Sequence, residues 1–275
     1  ILSQNCIRNG ILKRLRFQWE FLFLEWRLCI LRRRYIISIM KIKIIATGSS
    51  KLQRFIRRWG VSFLIGEDVL FDTFGDPGVF MDNMRKFKVD TAKIKHIVLS
   101  HDDWDHIAGL WYLLPNRQDI TVYICPGFKQ EIKDRIASFG VQIIEAGETV
   151  QIKENIYTTG ELYGESNGRK IFEQSVVIKT GAGLAVICGC AHPGVDKIIK
   201  KAKDSFKASI YLLMGGFHLK DNTDETNGRI IKDLNEAGIR RIMPMHCTGK
   251  RAVESIRQSF GEGFAWLKEG DEIEL

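Results

Sequence analysis

The chain has 275 residues, 45% hydrophobic and 27% charged, a composition ordinary for a globular protein and long enough to bury a core without disulfides. A formal charge of +8 would suit a nucleic-acid partner if it covered the folded body, but residues 1–39 hold eight Arg and Lys against Glu20 and Glu25, a net +6. The +2 left for residues 40–275 argues against an extended phosphate-gripping surface.

The first 39 residues interleave basic side chains with Phe, Trp, Leu and Ile ("FQWEFLFLEWRLCILRRRYIISI"). Their uncharged runs fall far short of the roughly 20 residues a membrane span needs, and they lack the apolar stretch and small-residue cleavage site of an export signal. Three readings stand for this extension: a basic helix lying on a membrane surface, an extra helix packed on the body, or non-native sequence upstream of the true start. The last is favoured because Met40 directly precedes the first clean strand, KIKIIATG. The body itself offers nothing for a membrane. Cys6, Cys29, Cys125, Cys188, Cys190 and Cys247 form no C-x-x-C pair, so reduced thiols in the cytoplasm are expected.

From Met40 onward, β-branched runs predict strands at 41–46, 61–66, 68–72, 94–100, 121–125, 142–145, 154–158, 175–179, 184–189, 209–214 and 240–245. Helical periodicity occupies 78–88, 107–114, 127–139, 194–206, 224–237 and 249–259. Early strands follow one another closely and later ones alternate with helices. That order predicts one α/β domain over 40–275, a two-sheet sandwich with helices outside, layered αββα.

Five of the six histidines fall at or just past the end of an apolar run: His101, His106, His192, His218 and His246. His96 lies inside a strand and reads as structural. Strand ends on one sheet edge converge in α/β folds, and a convergent set of imidazoles and carboxylates is what first-row divalent metals require. The loop "HDDWDH" (101–106) packs His101, Asp103, Asp105 and His106 into six positions. Together with ligands from elsewhere that is too many for one tetrahedral ion, and suits two ions about 3.5–4 Å apart sharing a water.

The ordered set "GVSFLI", "VLFDT", "LSHDDWDHIAGL", "GCAHPG", "GGFHL" and "PMHCTG" resembles the metallo-β-lactamase-fold superfamily, whose signature loop is H-x-H-x-D-H after a strand. Within it, the chain is most similar to the dihydropterin/ribofuranosyl-aminobenzene-phosphate synthase-like group. The resemblance implies one metal position using His101, Asp103 and His192, and a second using Asp105, His106 and His246. It implies that Asp72 props the loop from behind, orienting ligands rather than binding.

Two departures matter. Asp103 stands where the signature has its second histidine; it either ligates, tilting preference from Zn toward Fe or Mn, or is an acidic turn residue. At the strand end expected to supply a bridging aspartate stands Cys190, which is either a thiolate ligand or a small buried residue. His218 is the surplus histidine, either a catalytic group contacting substrate and carrying a proton or a structural one. Asp102 reads as solvated or behind the ligands, and Trp104 as packing against the sheet. Thr248 and Gly249 open a helix, serving either an anion or an ordinary N-cap.

The expected function is a metal-dependent hydrolase. A water activated on the metal, oriented by Asp105, attacks a small anionic ester-, lactone- or phosphate-type metabolite, with His218 serving the leaving group. Two divalent ions are the expected cofactors, Zn first, Fe or Mn otherwise. Alternatives are a carbon–carbon bond-forming synthase on a pterin precursor, a nuclease, and a non-catalytic iron protein on the same fold.

Overall fold

The computed structural model describes residues 40–166 and 168–275; the expectations for residues 1–39 lie outside them. Met40–Leu275 forms one compact unit. The first sheet contains β1 (Lys41–Gly48), β2 (Gly60–Ile65), β3 (Val69–Phe71), β4 (His96–Val98), β5 (Thr121–Ile124), β6 (Gln142–Glu145) and the edge strand β15 (Glu272–Glu274). Its order is β15-β1-β2-β3-β4-β5-β6, antiparallel up to β3 and parallel from there.

The second sheet is built from β7 (Val150–Lys153), β8 (Ile156–Thr158), β11 (Val176–Thr180), β12 (Gly183–Cys188), β13 (Ile210–Gly216) and β14 (Arg241–Met245). Its order is β14-β13-β12-β11-β8-β7, with β12, β13 and β14 parallel. A separate hairpin pairs β9 (Leu162–Ser166) with β10 (Arg169–Glu173).

Period-two alternation places Ile42, Ile44, Val61, Phe63 and Phe71 of the first sheet against Ile178, Ile187, Leu212 and Met214 of the second, all buried. Each such side chain contributes about 1.5–3 kcal/mol by leaving water. The opposite faces carry the helices. α2 (Pro77–Lys86), α3 (Trp104–Ile107), α4 (Leu110–Leu113) and α5 (Gln130–Ala137) bring Phe80, Met84, Ile107, Leu110 and Ile136 onto the first sheet. α6 (Val195–Phe206), α7 (Asp224–Glu236) and α8 (Lys250–Phe260) cover the second. Val195, Ile198, Ile199 and Ala202 of α6 sit at the spacing that gives a helix one apolar face. The result is the expected αββα sandwich. Among the described residues, no helix is long and apolar enough to cross a membrane.

Several elements differ from the sequence-based expectation. A short helix, α1 (Lys51–Phe55), follows β1. The helix expected over 107–114 is broken into α3 and α4 because the backbone N–H groups of Gly109 and Leu110 bond to Thr73 and not four residues back. Strands β7, β9, β10 and β15 were not expected. Gln174 ties the layers at the site's edge: its side-chain amide donates to Leu99 O (2.9 Å) and Tyr123 O (3.1 Å), and its backbone N–H to Ser100 O (2.9 Å).

Candidate metal centre

The parallel strands of both sheets release their chains toward one edge. Asp72 follows β3 and His101 follows β4; Cys190 and His192 follow β12, His218 follows β13 and His246 follows β14. α3 supplies Asp105 and His106. Segments distant in sequence therefore meet, and the His106 and His246 rings lie 5.3 Å apart, centroid to centroid.

Four donors converge. Cys190 Sγ lies 3.3 Å from His106 Nε2 and 3.2 Å from His246 Nε2. Asp105 Oδ2 lies 3.4 Å and 3.5 Å from the same two nitrogens. Metal–nitrogen and metal–sulfur bonds of about 2.0–2.1 and 2.3 Å at tetrahedral angles would set such donor separations near ~3.3–3.6 Å. A second group joins His101, His192 and again Cys190.

Hydrogen bonding behind the rings sets their tautomers. The Ser100 hydroxyl donates to Asp72 Oδ2 (2.8 Å), which leaves its oxygen to accept from His101 Nδ1 (2.9 Å). His101 Nε2 then carries a lone pair, is fully buried, and has no hydrogen-bond partner. An orphaned buried acceptor of this kind is costly without a cation to meet it. His106 Nδ1 donates to Asp72 Oδ2 (2.6 Å), and the Ser100 N–H donates to Asp72 Oδ1 (2.7 Å). His246 Nδ1 lies 2.9 Å from the Gly48 carbonyl and 3.2 Å from the Gly60 N–H, contacts that turn Nε2 inward whichever proton the ring carries. The donor set fits a soft or borderline divalent ion.

The electrostatics agree. Burial, with the neighbouring His106 and His192, holds His101 well below the ordinary histidine value and so neutral. Burial opposes charge on His106, yet the Asp72 and Asp105 carboxylates raise it well above that value; without a metal, its extra proton supplies the positive charge. Asp105 is likewise opposed by burial but is held well below the usual carboxylate range by His106 and His246. Burial pushes the Cys190 thiol up, so a thiolate there calls for a cation.

Backbone strain concentrates here. Asp72 (φ 57), Ala191 (φ 61), His218 (φ 49) and His246 (φ 50) are all left-handed, a conformation that costs a non-glycine residue about 1–3 kcal/mol and persists where surroundings over-determine it. Gly60 (φ +109) lets β2 pass the loop, for a Cβ there would stand 1.8 Å from Asp105 O.

The remaining candidates are placed as follows. Asp103 lies 3.7 Å from His101 Nε2 and pairs through its other oxygen with Arg169 of β10. His192 Nδ1 contacts Glu173 Oε2 at 2.8 Å, and its ring lies edge-on to His101 (4.7 Å) and tilted against His218 (4.5 Å). His218 lines the cavity, and burial lowers its pKa. Asp102 accepts from the Lys129 N–H at 3.2 Å. Trp104 packs over Gly75 and also borders the cavity. His96 Nδ1 lies 3.2 Å from the Tyr123 hydroxyl, away from the site. Thr248 does not cap α8: its hydroxyl donates to Met245 O (2.7 Å) and accepts from the Phe217 N–H (3.2 Å).

Glu173 was missed by the sequence reading. Fully buried at the end of β10, it accepts from the N–H groups of Cys190 (2.8 Å), Ala191 (2.7 Å) and His192 (2.8 Å). Burial opposes its charge, but the His192 hydrogen bond, the His192 ring and the Cys190 N–H hold it well below the usual glutamate range. The available signal was an acidic residue inside the apolar run KIFEQSVVI.

An open cavity of about 310 Å³ lies over the donors, with Arg54, Arg169 and Lys220 among its cations. A family model for the beta-lactamase superfamily domain matches residues 67–247. This chain belongs to the beta-lactamase superfamily. The chain is similar to the 7,8-dihydropterin-6-methyl-4-(beta-D-ribofuranosyl)-aminobenzene-5'-phosphate synthase of Methanocaldococcus jannaschii, 28% identical over 270 residues, covering 80% of this chain and 91% of the relative. Among solved structures, Tm1679, a metal-dependent hydrolase of the superfamily, is similar with a TM-score of 0.70 and 28% identity, covering 86% of this chain and 99% of that one. YhfI from Bacillus subtilis, a metallo-beta-lactamase fold protein, shares the fold at a TM-score of 0.61 and 16% identity, covering 86% and 99% of the two chains.

Proposed function

We propose that the chain is a metal-dependent hydrolase acting on a small anionic ester, lactone or phosphate metabolite. The observation that carries this reading is the convergence of Asp105, His106, Cys190 and His246, beside the orphaned His101 Nε2, beneath a cation-bordered cavity. These residues, with His101, His192 and Asp103, would hold divalent ions, which when bound would supply Lewis acidity for activating a water and polarising the scissile bond.

The chain's own groups do the rest. Asp105, held ionised, accepts a hydrogen bond from the attacking water and fixes its orientation. Asp72 and Ser100 lock the His106 and His101 rings, so no reorganisation is needed as the reaction proceeds. His218, kept neutral by burial, serves the leaving group as a ring N–H hydrogen-bond donor rather than by delivering an imidazolium proton. Arg54, Arg169 and Lys220 hold the anionic end, while Trp59 and Trp104 wall the site from bulk water.

Turnover of a panel of phosphoesters and lactones by chelated and then Zn-, Fe- or Mn-restored protein tests the proposal. His106→Ala is expected to lose more than about 100-fold of metal-restored activity, beyond the loss typical for residues behind the ligands, with its circular dichroism unchanged. Full activity in that variant would remove the mechanism. A synthase joining a dihydropterin to an aminobenzene riboside phosphate is the second reading, favoured by the Methanocaldococcus jannaschii relative. Product analysis with both substrate types separates the two, since only the synthase forms a carbon–carbon bond.

A further inference from the structure

We propose that the Cys190 thiolate is the donor shared by the two metal positions, binding one ion with Asp105, His106 and His246 and the other with His101 and His192. The inference rests on the metal-dependent reading above. Cys190 is the one residue common to the two convergent groups. Its sulfur sits between two imidazole nitrogens at 3.3 and 3.2 Å, separations that suit ligand atoms around one ion. His101 and His192 each bring a ring nitrogen within 4.8 Å of the same sulfur, and His101 Nε2 has no hydrogen-bond partner.

The sulfur is held there by its backbone. The Cys190 N–H donates to Glu173 Oε1 at 2.8 Å, and the Cys190 carbonyl accepts from the Cys247 S–H at 3.4 Å. Gly189 presses the turn against the histidine loop: a Cβ there would meet Ser100 Oγ at 2.2 Å and Asp72 Oδ2 at 2.9 Å. The strained Ala191 that follows is pinned by the same Glu173. A merely small buried residue would not need this much positioning.

The assignment has a consequence for metal choice. Thiolate favours Zn, Co and Fe over Mn and Mg, and the Asp103 carboxylate, which would pull the other way, has one of its two oxygens paired with Arg169. On binding, the thiol releases its proton to solvent and the metal takes its place.

The test uses the 275-residue chain, chelated and reloaded with Co(II) for absorption and with Zn(II) for X-ray absorption. Wild type is expected to show a near-ultraviolet sulfur-to-cobalt charge-transfer band. It is also expected to show, at two zinc ions per chain, a sulfur scatterer at about 2.3 Å on both ions. Cys190→Asp should keep the metal and lose band and sulfur together, Cys190→Ser should lose both signals likewise, and Cys247→Ser should retain them. Full metal loading with only nitrogen and oxygen neighbours overturns the thiolate while leaving the metal centre standing. Sulfur on a single ion overturns the sharing. A wild-type chain that takes up no metal overturns both this assignment and the function it rests on.

Discussion

Glu173 shows how one buried carboxylate shapes the candidate centre. It gathers three consecutive backbone N–H groups and the His192 ring, fixing a turn that contains left-handed Ala191. Its folded-state pKa is depressed, so its stabilisation is complete above the unfolded glutamate value of about 4.3 and is withdrawn as pH falls below it. In chelated protein, Glu173→Gln is expected to cost about 2 kcal/mol at pH 7, the scale of hydrogen bonds to a charged group. That gap should narrow at pH 4. Urea unfolding at both pH values measures it; a gap independent of pH would show that the Glu173 pKa is not depressed in the fold. The five site histidines were legible in the sequence because they fall at or just past the ends of apolar runs, a local pattern. Glu173 was not, because its partners lie 17 to 19 positions further along the chain and only the packed hairpin brings them together.

At the scale of elements, the β9–β10 hairpin is the piece that periodicity did not reveal. Its residues LYGES and RKIFE alternate weakly, although the intervening Asn-Gly in ESNGRK is a hairpin signal. α1 was likewise announced by a capping box, in which the Ser50 hydroxyl accepts from the Gln53 N–H (3.1 Å) and Gln53 Oε1 accepts from the Ser50 N–H (3.0 Å). The break between α3 and α4 had no such mark, since it depends on Thr73 arriving from another strand. The hairpin carries Arg169 to the cavity and to Asp103. Arg169→Ala is expected to raise KM about tenfold or more for whichever phosphorylated substrate turns over, with kcat changed little, because a charged contact made equally in the ground and transition states is lost. Steady-state kinetics decide this, and an unchanged KM would take Arg169 out of substrate binding.

At the scale of the whole molecule, the two sheets bring parallel strand ends from both halves of the chain to one edge, and the helices outside keep them there. The order of strands and helices predicted this layering, since closely spaced strands such as β2 and β3, or β11 and β12, pair antiparallel while helix-separated ones run parallel. The same placement depends on the inter-sheet core of Phe63, Phe71, Ile187 and Met214, which ties the loop after β4 to the loop after β14. The convergence of these loops on divalent metal is tested most directly by anomalous diffraction from crystals grown after zinc loading. The account predicts an anomalous peak within about 2.0–2.1 Å of both His106 Nε2 and His246 Nε2. A zinc-loaded crystal with no peak between those two rings would contradict it.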